Sequence, residues 1–227
     1  MLRPARPVLL ALVGVLVLLL AAGAVAALAL RADDEPGAAP VPAPEITTLA
    51  QLAQVEVSVP RASFCDRVRI DRVEQALAGE VADARVYNNG DTAPLGDRVE
   101  DVAHEFGCSW TSATGSVARA WVFAPPVAAG RAKRLVRLAG RAPGCGVVDT
   151  PTFGDPGVAT TCTGSGAGTV TGAHQGLFGD AWLTCTVTGR SARPGSSDLQ
   201  TRLEGWCVAV ALAASRASSR ASSRASS

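Results

Sequence analysis

Three runs, Val158-Ala159-Thr160-Thr161-Cys162-Thr163, Thr169-Val170-Thr171-Gly172-Ala173-His174-Gln175 and Trp182-Leu183-Thr184-Cys185-Thr186-Val187-Thr188, are rich in Thr and Val and are parted by glycine-rich turns. Short segments of this composition at close spacing read as consecutive antiparallel strands. Val117 to Phe123 reads as another strand, with Val117, Trp121 and Phe123 on one face alongside Arg119, and Pro125-Pro126 ends it. Helical patterns flank these strands. Asp71 with Glu74 forms a capping-box pattern that opens a short helix closing at Gly79. Asp97 with Glu100 repeats the pattern before Gly107 and predicts a second helix, with Val99, Val102, Ala103 and Phe106 on one face. Asn89-Gly90 marks a turn. A helix is expected over Val127 to Ala139, with Ala132, Leu135, Val136 and Ala139 as its apolar side and Gly140 as its stop. Ser197-Asp198 opens a last helix, in which Leu199, Leu203, Trp206, Val210 and Ala214 recur at helical spacing and turn Cys207 back towards Cys185. The fold class is therefore α+β: one antiparallel sheet with helices packed mainly on one face, stapled by disulfides and preceded by one transmembrane helix.

Composition narrows the function classes. The chain has 227 residues and balances 21 Lys+Arg against 20 Asp+Glu, a formal charge of +1, which argues against nucleic acid as a partner. A hydrophobic content of 48% excludes wholesale disorder. All but one of the basic residues are Arg, and Ile, Asn, Lys, Tyr and Met are scarce, a skew expected of a GC-rich genome.

Val8 to Leu30 contains no charge and no proline, and at about 1.5 Å per helical residue it spans the roughly 30 Å of a bilayer core. Arg3 and Arg6 precede the run and Asp33, Asp34 and Glu35 follow it, so the positive-inside rule places the N-terminus in the cytoplasm and the bulk of the chain outside. The alternative is secretion after signal cleavage at Ala24-Val25-Ala26 or Ala27-Leu28-Ala29. The chain divides into a cytoplasmic N-terminus (1–7), the transmembrane helix (8–30), a Pro/Ala-rich stalk (31–60), an extracytoplasmic domain (61–214) and a disordered tail of Arg-Ala-Ser-Ser repeats (215–227). Val55 to Val59 alternates and predicts an edge strand ahead of Pro60.

Six cysteines, Cys65, Cys108, Cys145, Cys162, Cys185 and Cys207, all fall on the outer side, and their even number suits an oxidising compartment. No CxxC pair occurs, so structural disulfides are expected rather than a metal or redox site. Six cysteines allow about 15 connectivities, of which sequential pairing is the simplest.

Motifs of chemistry are sparse. His104 and His174 each lack a second His at metal-binding spacing. Asp101, His104 and Glu105 cluster on the helix predicted before Gly107, where they read as a cation or titration site or as a solvated face. Ser165 in Gly164-Ser165-Gly166 lies between strands rather than on a nucleophile elbow. Asp149, Asp155 and Asp180 are the candidate acids of an envelope hydrolase. No cofactor and no metal is expected. Lys133, Arg134, Arg137 and Arg141 form a basic stripe within about a third of a helical wheel, suited to phosphate or carboxylate groups of an anionic envelope ligand. The same stripe also reads as a solvated face paired with the acidic residues 61–110. Phe178-Gly179-Asp180 reads as a tight turn placing an aromatic and an acid at a rim, or as a plain hairpin. Trp110, Trp121, Trp182 and Trp206 read as core.

The stretches Gly107-Cys108-Ser109-Trp110 leading into Ala118-Arg119-Ala120-Trp121-Val122-Phe123-Ala124-Pro125-Pro126, Gly176-Leu177-Phe178-Gly179-Asp180-Ala181-Trp182-Leu183-Thr184-Cys185, and Trp206-Cys207-Val208-Ala209-Val210 resemble uncharacterised membrane-anchored extracytoplasmic proteins of high-GC actinobacteria. That resemblance implies location and no catalytic residue. A cysteine followed by a helix, then Cys-x-Trp and a strand, is more loosely similar to actinobacterial lipoproteins of unknown function and to extracellular sensor domains of receptor kinases. The chain departs from both: no cysteine precedes Cys65 to carry a lipid, and seven residues before the apolar run leave no room for a kinase. The expected protein is a single-pass, non-enzymatic binding or sensor-like domain for a cell-envelope ligand or partner protein; the alternative is an extracytoplasmic hydrolase. A buried pair of carboxylates in a cleft would favour the enzyme, and an open groove lined by Trp and Arg the binder.

Overall fold

A computed structural model describes residues 46–96, 99–151, 153–164, 168–190 and 197–224. The N-terminus 1–7, the apolar run 8–30, the Pro-rich half of the stalk, Asp97, Ser165 and the last three residues lie outside the described residues. Among the described residues no helix is long and apolar enough to cross a membrane.

The strands are β1 (Val81–Tyr87), β2 (Thr92–Gly96), β3 (Val99–Val102), β4 (Glu105–Ser112), β5 (Val117–Phe123), β6 (Cys145–Val147), β7 (Gly157–Thr163), β8 (Thr169–Phe178) and β9 (Ala181–Arg190). The helices are α1 (Leu49–Leu52), a 3-10 turn (Cys65–Arg67), α2 (Ile70–Leu77), α3 (Ala129–Ala139) and α4 (Ser197–Arg224). Seven strands form one antiparallel sheet in the order β1-β4-β5-β9-β8-β7-β6, and β2 and β3 form a separate hairpin.

Side chains alternate across the sheet, so its two faces are chemically distinct. Ala118, Ala120 and Val122 of β5 and Leu183, Cys185 and Val187 of β9 point to the first face and pack with Leu49, Leu52, Val73, Leu77, Leu199, Leu203, Trp206 and Val210 of α1, α2 and α4. Each fully buried Val or Leu in this layer stabilises the fold by about 2 kcal/mol. This layer is the main core. The second face carries Val117, Arg119, Trp121 and Phe123 of β5 and Trp182, Thr184, Thr186 and Thr188 of β9. There Val127 and Ala132 pack on Leu177 and Trp182, so α3 covers the end of the second face that the other helices do not touch. The β2–β3 hairpin packs at the opposite end through Tyr87, Ala93, Leu95 and Ala103.

All six cysteines are paired sequentially, Cys65–Cys108, Cys145–Cys162 and Cys185–Cys207. The first ties the 3-10 turn to β4, the second joins residues directly opposite on β6 and β7, and the third pins α4 to β9 through the core. After β6 the chain folds back over the end of β8, where the carbonyl of Phe153 lies against Gly176; any Cβ at Gly176 would collide with that backbone.

Several expectations are corrected. Of the segment expected to be helical before Gly107, the described residues 99–107 are not: Val99–Val102 is β3 and Glu105 opens β4. Its apolar spacing fits a helix, but a helix this short is marginal in water, while β4 pairs on both sides with β1 and β5 and carries Cys108 to Cys65. In α2 the N-cap is Arg69 with no side-chain cap bond, and the left-handed capping residue is Ala78 rather than Gly79. Val55–Val59 forms no strand. Residues 46–59, read as the second half of the stalk, pack on the domain: Thr48 caps α1, and Leu49, Leu52 and Val59 are buried in the core. The backbone of residues 216–224, read as a disordered tail, continues α4, since extending a formed helix with Ala and Arg costs little.

Candidate functional site

Trp110, Trp182 and Trp206 are core residues as expected, but Trp121 is half-exposed on the second sheet face. The guanidinium of Arg119 lies 5.5 Å from the centre of its ring, a cation–π contact. Arg119 also donates to the Leu95 carbonyl at 3.3 Å, which links the β2–β3 hairpin to β5. Beside it Tyr87 donates to Oε1 of Glu105 at 2.6 Å. Gly107 makes this possible, because the Tyr87 ring lies across it and a Cβ there would strike the phenol. Burial, then Glu105, pushes the Tyr87 phenol up, so it keeps its proton at neutral pH. Burial also raises Glu105, while the bond from Tyr87 and the charge of Arg119 oppose that shift.

Between the hairpin and α3 the described residues place no helix over this face. Ser109, Thr111, Thr171, Thr186 and Thr188 are half-exposed on it, and the Thr171 and Thr188 hydroxyls are 2.8 Å apart. A row of hydroxyls that both donate and accept, with one half-buried indole and one fixed guanidinium, suits a polar, hydroxyl-rich ligand. The sequence contained one signal of it: an Arg inside the apolar set Val117, Trp121 and Phe123 is incompatible with a face wholly in core.

The structure splits the basic stripe. Lys133, Arg134, Arg137 and Arg141 are all exposed, and the described ion pairs engage none of them with the acidic residues 61–110. Arg137 and Arg141 line a cavity of about 590 Å³ between α3 and the β6–β7 edge, whereas Lys133 and Arg134 do not. His174, 1% exposed, lines the same cavity, and its Nε2 has no hydrogen-bond partner. Phe153 packs against the imidazole at 6.0 Å. Nothing in the sequence marks His174 as a site residue, since its partner segments lie far along the chain.

Burial holds the His174 imidazole down at about 4, against 6.5 for the free side chain. The unfolded chain therefore takes up this proton first as the pH falls. Stability from the neutral ring is full above 6.5 and is lost progressively down to about 4. His174→Phe, which suits the Phe153 and Phe178 surroundings, is expected to remove about 2 kcal/mol of the acid-induced loss at pH 5. Urea melts of both proteins across this range check it; parallel stability profiles would reject the assignment.

The other sequence candidates are dispersed. Phe178 is buried and packs edge-to-face on Phe153 at 5.1 Å, so it is no rim aromatic. Asp180 sits exposed in the β8–β9 turn and pairs with Arg61 at 3.1 Å, which tethers the entry segment. Asp149, Asp155 and Asp180 are exposed; Asp149 alone of the three lines the cavity beside α3, and Asp155 lines a separate cavity with Phe178 and Gly179 at the β8–β9 turn. Asp101, His104 and Glu105 share no helix face: Asp101 is on β3, His104 lies between strands, and Glu105 is held by Tyr87. The chain matches neither a model of a known protein family nor a curated protein.

Proposed function

We propose that the protein is a single-pass, membrane-tethered extracytoplasmic binding module whose ligand surface is the open sheet face around Arg119 and Trp121. The carrying observation is that, where the other three tryptophans are buried, Trp121 stands half-exposed under the Arg119 guanidinium. Exposed aromatics with a polar rim are the anchors of binding surfaces. The Ser and Thr hydroxyls around it favour a polyhydroxylated envelope chain, and Arg119 favours one bearing anionic groups. Three disulfides support an oxidising location, and the apolar run Val8–Leu30 supports the tether.

The test is co-sedimentation of the full-length protein with purified cell-wall fragments. Trp121→Ala is expected to weaken binding by at least about tenfold with little change in melting temperature, as for a surface anchor. Arg119→Gln weakens it less for neutral than for anionic polymers. Equal binding by wild type and Trp121→Ala would reject this surface; sedimentation only with anionic vesicles would reassign the partner to lipid.

A further inference from the structure

We propose that the solvent face of α3 docks on an anionic lipid bilayer, with its cations on the headgroups and Leu138 and Val147 in the layer beneath them. The residues are separate from Arg119 and Trp121, so this surface and the sheet-face reading can fail independently.

α3 is fixed by one side only: Ala132 is buried with Leu177 and Trp182, and Leu135 and Val136 pack beside it. At about 100° per residue the other side, an arc of about 160°, carries Lys133, Arg137, Arg141, Arg134, Leu138 and Arg131 in that order. Gly140 keeps a right-handed backbone, so Arg141 continues the helical path. All five cations are exposed, and the described ion pairs engage none of them. No acidic residue occurs between Glu105 and Asp149. Asp149 lines the cavity beside Arg137 and Arg141, and one carboxylate against five cations leaves the face strongly positive.

Charge alone would suit any anionic polymer; the apolar groups decide for a bilayer. Leu138 and Val147, 65% and 63% exposed, stand out furthest of the large apolar side chains described. Both lie at the C-terminal end of α3. Leu138 sits within the cationic arc, one turn from Arg134 and from Arg141. On the other flank a methyl of Val147 lies 2.9 Å from where Gly140 would carry a Cβ. Cations interleaved with protruding aliphatic groups fit the boundary between headgroups and acyl chains, whereas a hydrated wall polymer has no apolar layer to receive Leu138. The incoming chain and the start of α3 also meet at the β8–β9 turn: Arg61 pairs with the Asp180 carboxylate at 3.1 Å, and the Val127 amide donates to the Asp180 carbonyl at 2.8 Å. A tether through Val8–Leu30 would raise the local concentration of bilayer at α3, but docking does not require it.

Lys133 is the single lysine of the chain, so reductive methylation with 13C-formaldehyde places one NMR reporter on α3, while the terminal amine titrates lower and resonates apart. The full-length protein is placed with nanodiscs of phosphatidylcholine alone or mixed with phosphatidylglycerol, each carrying a gadolinium-chelate headgroup lipid. The expected result is a Lys133 signal that is broadened by the anionic discs, sharp with the neutral ones and sharpened again by high salt. Arg134→Gln plus Arg137→Gln, and separately Leu138→Asp, all at exposed positions, should each cut the paramagnetic broadening at least about fivefold. An unbroadened Lys133 signal with anionic discs, or equal broadening by both disc types, would overturn the proposal. So would α3 variants that broaden as the wild type does, or a loss confined to Trp121→Ala, which would place the lipid on the sheet face instead.

Discussion

Trp206→Ala is expected to cost about 4 kcal/mol of unfolding free energy, the range of large-to-small substitutions at a filled core position. Trp206 is 1% exposed where α4 meets the sheet. Its ring packs edge-on against Trp110 with centroids 5.5 Å apart, and its Nε1 donates to the Arg119 carbonyl at 3.2 Å. Truncation therefore empties a cavity bounded by sheet and helices, leaves Trp110 without its partner ring, and removes the only α4 hydrogen bond described to β5. The bond also reaches the backbone of the residue that stacks on Trp121, so the variant should weaken ligand binding at the sheet face more than its distance from that face suggests. Equilibrium urea unfolding measures the effect as a lower midpoint at unchanged slope. A loss below about 1 kcal/mol would show that α4 repacks and that the core assignment is wrong.

The second large effect is removal of the disulfide between Cys185 and Cys207. The bridge closes a separation of 22 residues, which in the chain-entropy account is about 3 kcal/mol of stability. Both sulfurs are fully buried in the core, so Cys185→Ala plus Cys207→Ala also leaves unfilled volume, and a total near 4 kcal/mol is expected. The peripheral pair Cys145 and Cys162 closes 17 residues on half-exposed strands at the sheet edge. Its removal should cost no more than about 3 kcal/mol, because no core volume goes with it. Mild thiol should also open the peripheral bridge first. An equal or larger loss from the peripheral pair would place the cooperative core at β6–β7 rather than under α4.

Much of this architecture was legible along the chain. β5, β7, β8, β9, α3 and the start of α4 lie where alternation, helical spacing and Pro or Gly stops put them, within a few residues. Helical spacing also turned Cys207 towards Cys185, the pair that α4 and β9 form, whereas sequential pairing of all six was only the simplest of the open connectivities and is settled by the structure. Those features are local: each is set by residues within one turn of helix or one strand. Two of the errors of kind were long-range. Residues 99–106 carry a helical spacing, yet pairing with β1, β5 and the β2 strand outweighed the preference of so short a segment. Residues 46–59 look like stalk, yet Leu49 and Leu52 find a pocket that α4 supplies, and Glu204 receives the Leu49 amide at 3.1 Å.

The candidate sites divide in the same way. An arginine stripe on α3 was visible because helical spacing alone places Lys133, Arg134, Arg137 and Arg141 on one side. That Arg137 and Arg141 line a cavity with Val147 and Asp149, that Trp121 is the one tryptophan of four that is not fully buried, and that Phe178 and Asp180 part company depend on which strands become neighbours. Chain order states what each segment prefers within a few residues, and so it was sufficient for the type of most elements but not for residues 99–106 or for the full cysteine connectivity. Sheet order and the side on which α3 lands are chosen by burial summed over the whole molecule, and only that choice brings Arg137 of α3 and Asp149 beyond β6 to the walls of one cavity.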